Sequence, residues 1–309
     1  MSMPHKMVRR LEKAEELDKA ARPASNAVKR AVRPRFVRDL LSGTKLGHPL
    51  HPSLTDVTIG AWSMASLLDA AGGWKSEPAA DLLMTTGVIA AAPTALTGLN
   101  DWADTLGAER RVGLVHAAAN TAALSLYVAS LIERARGNRG TGKALGYAGF
   151  AVMGMSAYLG GHLSFVRGLN VNRNAWQEGP DEWTSVLDEN QLVEGEHRTA
   201  DADGVEILLH RTHGKVYAMA ATCSHMGGPL PDGTFERDCV TCPWHGSTFR
   251  FTDGGVVRGP ATTPQPSYET RVQSGRIEVR VPPAGVTAGP VEEHPVRTHR
   301  RLRARIPAS

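Results

Sequence analysis

Four apolar stretches follow one another in the first half of the chain, and they limit its fold more than any other feature. They run over residues 54–71, 79–99, 112–132 and 144–165. Each holds about 20 residues, which is the length of a helix that crosses a hydrocarbon layer of ~30 Å. We therefore predict a bundle of four transmembrane helices, with a soluble Ala-rich helical bundle as the alternative.

The distribution of charge within these stretches favours the membrane. The third and fourth stretches contain no Lys, Arg, Asp or Glu, although Asp56, Asp69 and Asp81 lie in or near the first two. Short polar loops join the stretches, and their many Gly, Ala, Ser and Thr residues suit close helix contacts in lipid. We expect an integral membrane protein of the cell membrane with four spans.

Positive charge differs between the two ends of the predicted bundle. Side B receives Lys75 and the loop 133–143. The other end, called side A here, receives the basic segment 1–45 and the later arginines Arg110, Arg111, Arg167 and Arg173. Because cytoplasmic loops carry an excess of Lys and Arg, side A is predicted to lie in the cytoplasm, together with both termini and the second half of the chain.

Both ends of the chain are basic. Residues 1–45 form an N-terminal arm, and residues 284–309 form a Pro- and Arg-rich tail that is expected to be disordered. The formal net charge is +4. No nucleic-acid partner is expected, because the arm lacks interleaved aromatic residues. Each Lys or Arg near an anionic membrane contributes ~1 kcal/mol, so the arm is interpreted as solvated or lipid-facing.

The pattern changes in the second half of the chain to short alternating segments. Residues 204–223, 247–260 and 268–281 each predict a β-hairpin, with turns at Thr-His-Gly-Lys, Gly-Gly and Ser-Gly. A small all-β domain is therefore expected over residues 185–283. The predicted fold class is multi-domain, with an N-terminal four-helix transmembrane bundle and a C-terminal all-β domain.

Two short blocks carry the chemistry of the β domain, "CSHMGGPL" from Cys223 and "CPWHGSTF" from Cys242. Each block offers one cysteine and one histidine, and the histidines are His225 and His245. Two thiolates and two neutral imidazoles can hold a zinc ion, or a [2Fe–2S] cluster with the cysteines on one iron and the histidines on the other. Zinc modules normally use C-x-x-C or H-x3–5-H pairs, so the cluster is favoured.

The C-x-H and C-x-x-H spacings, followed by Gly-Ser, closely resemble the Rieske family over about 100 residues. The resemblance implies that Cys223 and Cys242 bind one iron, and that His225 and His245 bind the other. The flanking residues implied to tune the cluster are Gly227, Gly246 and Ser247.

Three positions depart from the high-potential branch of that family. Gly228 and Trp244 stand where that branch has a disulfide, and Phe249 stands where it has a tyrosine that bonds a cysteine sulfur. The resemblance therefore implies a ferredoxin-like centre, with a potential toward the low end of the Rieske range of roughly −150 to +300 mV. Cys239 lies outside the motif and is expected to be a structural or free thiol.

The helical half also resembles a known family. The segments "LGHPLHPSLTDVTIGAWSMASLLDAAGG", "TGLNDWADT", "RRVGLVHAAAN" and "GGHLSFVRGLNVN" are similar to those of DUF2231, a family of four-helix membrane domains of unknown function. The resemblance implies a domain over residues 46–172 and says little about activity.

Four histidines are predicted near side A, namely His48, His51, His116 and His162. Ionisable groups inside a membrane indicate a functional site by default, so a haem b or quinone site is one interpretation, with His116 and His162 as its key pair. The other interpretation is a structural polar cluster, in which His116 bonds Asp56 or Asp101.

These observations predict a membrane-anchored iron–sulfur protein that carries single electrons between redox partner proteins, such as a reductase and an acceptor. The alternatives are a non-enzymatic redox or iron sensor and an electron-transfer component of a multi-subunit oxygenase. A complete oxygenase needs a mononuclear iron held by two histidines and a carboxylate. Only a short segment follows Val281, so no catalytic oxygenase domain is expected in this chain.

Overall fold

The computed structural model describes residues 3–282, in which seven α-helices precede ten β-strands. The helices are α1 (Met3–Lys13), α2 (Asp18–Ala31), α3 (Arg35–Ser42), α4 (Leu50–Ala71), α5 (Glu77–Ala103), α6 (Gly107–Ala135) and α7 (Arg139–Gly161). The predicted basic tail, residues 284–309, lies outside the described residues. The helical part thus has three helices more than the four predicted, and all three belong to the N-terminal arm.

The arm is helical because it packs on side A of the long helices. In α2, Ala21 and Ser25 are buried, and Ser25 Oγ donates to the carbonyl oxygen of Ala103 at 3.0 Å. Arg111 of α6 donates two hydrogen bonds to Asp18, at 3.0 and 2.9 Å. The prediction of a solvated or lipid-facing arm is wrong for these faces, because the contacts that bury them join residues far apart in the sequence.

Each predicted apolar stretch lies in one of the four longest helices. The last stretch runs from α7 into a π-helical turn at His162–Val166. The shortest of these helices, α4, has 22 residues, and a helix of that length extends over ~33 Å at 1.5 Å per residue. By length and apolar composition, two segments of the described chain qualify as membrane spans, Trp74–Ala103 and Gly107–Ala135.

The helices α4 and α5 form one hairpin, α6 and α7 form a second, and the two hairpins meet through corresponding residues. Tyr127 follows Trp62 in the sequence by the same number of residues as Arg134 follows Asp69, and this spacing is the offset between the two hairpins. The rings of Trp62 and Tyr127 stack with centroids 4.1 Å apart. Arg134 forms a buried ion pair with Asp69 at the side B end. Arg134 was predicted to lie in a loop, but α6 continues to Ala135 because this buried carboxylate neutralises the arginine.

The second half of the described chain is a β domain of two antiparallel sheets. The strands are β1 (Thr184–Asp188), β2 (His197–Ala202), β3 (Val205–Thr212), β4 (Lys215–Ala220), β5 (Thr234–Glu236), β6 (Cys239–Thr241), β7 (Thr248–Arg250), β8 (Val256–Arg258), β9 (Ser267–Gln273) and β10 (Arg276–Arg280). One sheet has the order β1-β10-β9-β4-β3-β2, and the other has the order β5-β6-β7-β8. The three predicted hairpins are confirmed as β3–β4, β7–β8 and β9–β10.

One apolar core of the β domain includes two of the predicted site residues. Cys223 and Cys242 belong to the same buried cluster as Leu208, Val240 and Phe249. The thiols are therefore positioned by the packing of the domain rather than by exposed loops.

The segment that connects the two domains is fixed to both. On the helical side, Asn170 Nδ2 donates to a carboxylate oxygen of Asp101 at 2.6 Å. On the β side, Asn174 Nδ2 donates to the carbonyl oxygen of Thr222 at 2.8 Å and to Gln265 Oε1 at 3.0 Å. These bonds hold the β domain against side A.

Candidate metal centre

The first block forms a tight loop after β4. The backbone N–H of Cys223 donates to the carbonyl oxygen of Gly228 at 2.8 Å, and the N–H of Gly227 donates to the carbonyl oxygen of Cys223 at 2.9 Å. Gly227 has a φ of 79°, which a residue with a side chain rarely adopts. The glycine therefore allows the loop to close beneath the cysteine.

The second block repeats this loop before β7. The N–H of Cys242 donates to the carbonyl oxygen of Ser247 at 2.8 Å, and the N–H of Gly246 donates to the carbonyl oxygen of Cys242 at 3.1 Å. Gly246 also has a φ of 79°. The two blocks are thus structurally equivalent, although their Cys-His spacings differ.

The thiols of the two loops meet inside the domain. Cys223 is 1% exposed and Cys242 is 3% exposed. The hydrogen bond between the two thiols raises the pKa of Cys223 and lowers the pKa of Cys242 to about 7. A Cβ atom on Gly228 would lie 2.7 Å from Cys242 Sγ, so only glycine leaves room for this sulfur.

The imidazoles of the two loops form a second pair. The rings of His225 and His245 lie 5.2 Å apart between centroids and are nearly perpendicular, at 87°. Burial lowers the pKa of His225 to about 3 and also lowers the pKa of His245. Both rings are therefore neutral at pH 7, which is the form that binds metals.

One atom of this pair has no partner in the protein. His225 Nδ1 is buried and forms no hydrogen bond. Nearly all buried polar atoms in native proteins are hydrogen-bonded, and an exception often indicates a bound ion. This atom therefore points to a metal-containing group between the loops.

The donor set fits a [2Fe–2S] cluster better than a zinc ion. Tetrahedral zinc would draw all four donor atoms to within roughly 4 Å of one another. The group of possible metal ligands within 4.8 Å joins His225 and His245 with Asp104, and includes neither cysteine. Thiols at one end and imidazoles at the other match the two irons of a His-ligated cluster.

Asp104, which the sequence did not single out, belongs to the helical domain. It follows α5 directly, its side chain is 4% exposed, and it forms an ion pair with Arg38 of α3. The available signal was the acidic "NDWADT" segment after the second apolar stretch. Side A therefore supplies a buried carboxylate beside the two imidazoles.

The other flanking residues are buried or lie apart from the loops. Ser247 is fully buried, and its Oγ accepts a hydrogen bond from the N–H of Ala261 at 3.0 Å. The hydroxyl hydrogen of Ser247 is thus left to donate elsewhere. Cys239 begins β6, and burial raises the pKa of its thiol. The three cysteines form no disulfide in the described chain.

Two of the helical histidines occupy equivalent positions in the two hairpins. His51 Nδ1 donates to the carbonyl oxygen of Thr94 at 3.0 Å, and His116 Nδ1 donates to that of Ser156 at 2.8 Å. His51 and His116 differ by the same offset as Trp62 and Tyr127. His51 and His116 therefore occupy corresponding positions in the two helical hairpins.

The remaining histidines point elsewhere. His48 is exposed, and its Nδ1 contacts its neighbour's carbonyl oxygen, that of Pro49, at 2.9 Å. His162 Nε2 donates to a carboxylate oxygen of Glu12 at 2.9 Å. His116 bonds Ser156 rather than Asp56 or Asp101, because Gly160 lets its ring approach the backbone of α7.

The β domain and its paired Cys-His loops define an iron–sulfur electron-transfer domain. Residues 182–269 match the Rieske [2Fe-2S] domain, and residues 47–173 match "Predicted membrane protein (DUF2231)". The chain belongs to the Rieske family, and it carries this domain behind a DUF2231 domain.

The matches to individual proteins each cover about a third of this chain. Ferredoxin CarAc of Metapseudomonas resinovorans is 30% identical over 98 residues, which are 31% of this chain and 92% of the ferredoxin. Apoptosis-inducing factor 3 of Mus musculus is 26% identical over 96 residues, and the match spans 31% of this chain but only 16% of that protein. Among solved structures, the ferredoxin of carbazole 1,9a-dioxygenase from Nocardioides aromaticivorans IC177 is 29% identical. That match covers 32% of this chain and 96% of the ferredoxin, with a TM-score of 0.31.

Proposed function

We propose that this chain is a membrane-anchored electron carrier. Cys223 and Cys242 would hold one iron of the cluster, and His225 and His245 would hold the other. A [2Fe–2S] cluster in this site supplies reversible one-electron transfer. The observation that carries the proposal is the buried, unpartnered Nδ1 of His225, in the same pair of loops as two adjoining thiols.

The loop residues would adjust the properties of the centre. In the turns that Gly227 and Gly246 close, backbone N–H groups of the residues that follow each cysteine bond its sulfur. Ser247 has a hydroxyl hydrogen available to donate. Phe249 is fully buried and offers no hydroxyl. Fewer hydrogen bonds to the sulfurs favour a lower potential, so we propose a ferredoxin-like value.

We propose that α4, α5, α6 and α7 cross the membrane. The DUF2231 match and the two segments that qualify as spans support this. The large apolar side chains on the outer faces of the helices support it as well, since Leu82 is 68% exposed, Ile89 69% and Met155 62%. Such a surface would be unfavourable in water and is favourable in lipid.

The charge distribution supports a cytoplasmic side A. Both termini and the Rieske domain would then lie in the cytoplasm, and the loop near Gly140 would lie outside. Reporter fusions after Met1, after Ser309 and at Gly140 test the topology. A cytoplasmic signal at all three positions contradicts four spans.

The proposed division of the chain is a basic arm over residues 1–45, a helical membrane domain over 46–172, a Rieske domain over 185–283 and a basic tail over 284–309. In the helical domain, we propose that His116 is structural, because Asn120 Nδ2 bonds its Nε2 while its Nδ1 donates to Ser156, and that His51, at the equivalent position, is structural as well. A haem or quinone at these histidines is the alternative.

Redox proteins are the proposed partners. The similarity to ferredoxin CarAc, which extends over nearly the whole of that protein, supports a carrier that exchanges electrons with separate proteins. A sensor is the alternative of a different class. Repeated reduction by a reductase and reoxidation by an acceptor supports a carrier, whereas a cluster that is reduced once and then alters a partner's binding supports a sensor.

Spectroscopy of the detergent-purified full chain tests the centre directly. We expect iron and sulfide in equal amounts and a reduced-state electron paramagnetic resonance (EPR) signal typical of a His-ligated [2Fe–2S] centre. Cys242→Ser should remove that signal, while Cys239→Ser, a matched change in the same domain, should keep it. One zinc per chain and no iron would overturn the assignment.

A further inference from the structure

A cleft opens between the arm and the β domain beside His245. Its volume is about 290 Å³. The helices α2 and α3 provide one wall, and β8 provides another. Most of the charged side chains that line it are cationic. The cationic ones are Lys29, Arg33, Arg35, Arg38 and Arg258.

Most of this positive charge is not neutralised by the protein. Arg38 forms an ion pair with Asp104. Asp39 also lines the cleft and offsets one positive charge, and its carboxylate accepts a hydrogen bond from the N–H of Gly259 at 3.0 Å. The other four cations form no ion pair within the described part of the chain. Like charges held together in this way favour the entry of an anionic group.

The cleft is also larger than the cavity on the other side of the imidazole pair. On the His225 side, a cavity lined by Asp101, Asn170 and Ser224 has a volume of about 20 Å³, which is room for about one water molecule. Asp104 is buried within 4.8 Å of ring nitrogens of both histidines. The cleft on the His245 side is therefore the roomier of these two approaches to the imidazoles.

We propose that this basic cleft is the docking site for an acidic surface of a redox partner protein. The inference rests on the proposed function and adds the place where the partner docks and the charge of its surface. One electron passes between the partner and the cluster, and no bond or proton transfer belongs to the step.

Small charged electron acceptors test the basic cleft without an identified partner. Ferricyanide, an anion, and hexaammineruthenium(III), a cation, each take one electron from the reduced protein and become ferrocyanide and hexaammineruthenium(II). The full chain is placed in neutral phosphatidylcholine nanodiscs, and reoxidation is followed by stopped-flow absorbance at low salt, where the Debye length is ~30 Å.

The test variant is Arg33→Gln combined with Arg35→Gln. Electrostatic steering changes association rates by ~10-fold or more, so ferricyanide should react roughly 3- to 10-fold more slowly with this variant, and hexaammineruthenium(III) no more slowly. The matched control is Arg9→Gln with Arg10→Gln, which removes the same charge from exposed positions of α1 outside the cleft. Both acceptors should oxidise the control at nearly the wild-type rate.

Folding is not expected to limit the test. Arg35 is the first residue of α3, where a cation opposes the helix dipole, so its removal does not weaken the helix. Arg258→Gln changes the opposite wall and should also slow ferricyanide. Equal slowing of the test variant and the control, or no effect of Arg258→Gln, would overturn the proposal.

Lipid headgroups are the competing source of negative charge. If the ferricyanide preference disappears in phosphatidylglycerol nanodiscs, anionic lipid fills the cleft and the docking proposal is wrong. If the preference persists there, the docking proposal is supported. Failure of the proposed function is distinguishable, because the purified chain would then lack the reduced-cluster EPR signal before any rate is measured.

Discussion

Histidine pairs occur in both halves of this molecule, but their ring nitrogens differ in one respect. In the helical domain, Nδ1 of His51 and of His116 donates to a backbone carbonyl of the next helix. In the β domain, Nδ1 of His225 is buried and has no partner. Each helical histidine therefore has a protein partner at Nδ1, whereas His225 leaves this nitrogen for an added group.

This difference shows why residue type alone does not identify a ligand. Both pairs are neutral-imidazole candidates in a partly buried setting. A metal-binding histidine normally donates one ring nitrogen to the protein and keeps the other for the metal. The helical pair satisfies the first half of that rule, yet Asn120 Nδ2 already bonds Nε2 of His116 at 3.1 Å. Whether each ring nitrogen already has a hydrogen-bond partner is more informative than the residue type.

The same substitution in each pair gives the largest expected contrast. His225→Gln should abolish the EPR signal of the reduced cluster, because it removes a ligand. His116→Gln should keep the signal and lower the melting temperature, because it removes a hydrogen bond worth ~1 kcal/mol. Parallel EPR and thermal unfolding of the two variants check this. Loss of a haem absorption band in His116→Gln would reverse our interpretation of the helical pair.

A second contrast separates the stability of the helices from the integrity of the centre. Arg134→Met removes the closer of the two arginines that pair with buried Asp69 and leaves only Arg139, at 3.5 Å, so the cost should approach the ~3–5 kcal/mol of a broken buried ion pair. The cluster signal should persist, since this pair lies at side B. Arg136→Met is the control, because its pair with Glu133 is exposed and such pairs contribute ~1 kcal/mol or less. Equal destabilisation of both variants in thermal unfolding would contradict the buried network.

Glycines beside each pair provide a smaller contrast. A Cβ atom on Gly228 would lie 2.7 Å from Cys242 Sγ, and one on Gly160 would lie 3.0 Å from His116 Cε1. Gly228→Ala should lower the iron content of the purified protein. Gly160→Ala should leave iron unchanged and cost ~1–3 kcal/mol, as overpacking usually does. Iron analysis and melting curves distinguish these outcomes, and normal iron in Gly228→Ala would show that the loop adjusts.

The smallest expected effect concerns the attachment of the arm to the helices. The hydrogen bond from Arg111 holds the pKa of Asp18 below its ordinary value of 3.8. The resulting stabilisation is present above that value and is lost as the pH falls through the lower native pKa. The difference in melting temperature between wild type and Asp18→Asn should thus be constant near neutral pH and shrink in acid. A difference that increases in acid would contradict this pairing.

The sequence predicted local features well and contacts between domains poorly. The Cys-His blocks, the three hairpins and the placement of the apolar stretches in α4–α7 follow from spacing and periodicity, which are properties of neighbouring residues. The helical arm was not predicted, because its burial depends on α5 and α6. Asp104 and Arg38 were missed for the same reason, since they meet only after α3 docks on side A.

The correspondence between His51 and His116 was also not predicted from the sequence. His116 and His162 were matched by their predicted depth in the membrane. The structure instead relates His116 to His51 through the shared offset of the two hairpins. A search for an internal repeat would have found that offset, because Trp62 and Tyr127 follow the two histidines at equal distances.

The fixed connection between the domains has a kinetic consequence. Asn170 is bonded to the helical domain and Asn174 to the β domain, and the N–H of Arg173 also donates to the carbonyl oxygen of Ser224 at 3.0 Å. At most ~3.5 Å per residue, the short span between these anchors allows only a small excursion. A cluster in a domain held by so short a connection cannot move between a distant electron donor and a distant acceptor. Its turnover should then depend on how often partners arrive, and solvent viscosity should slow it only through their diffusion.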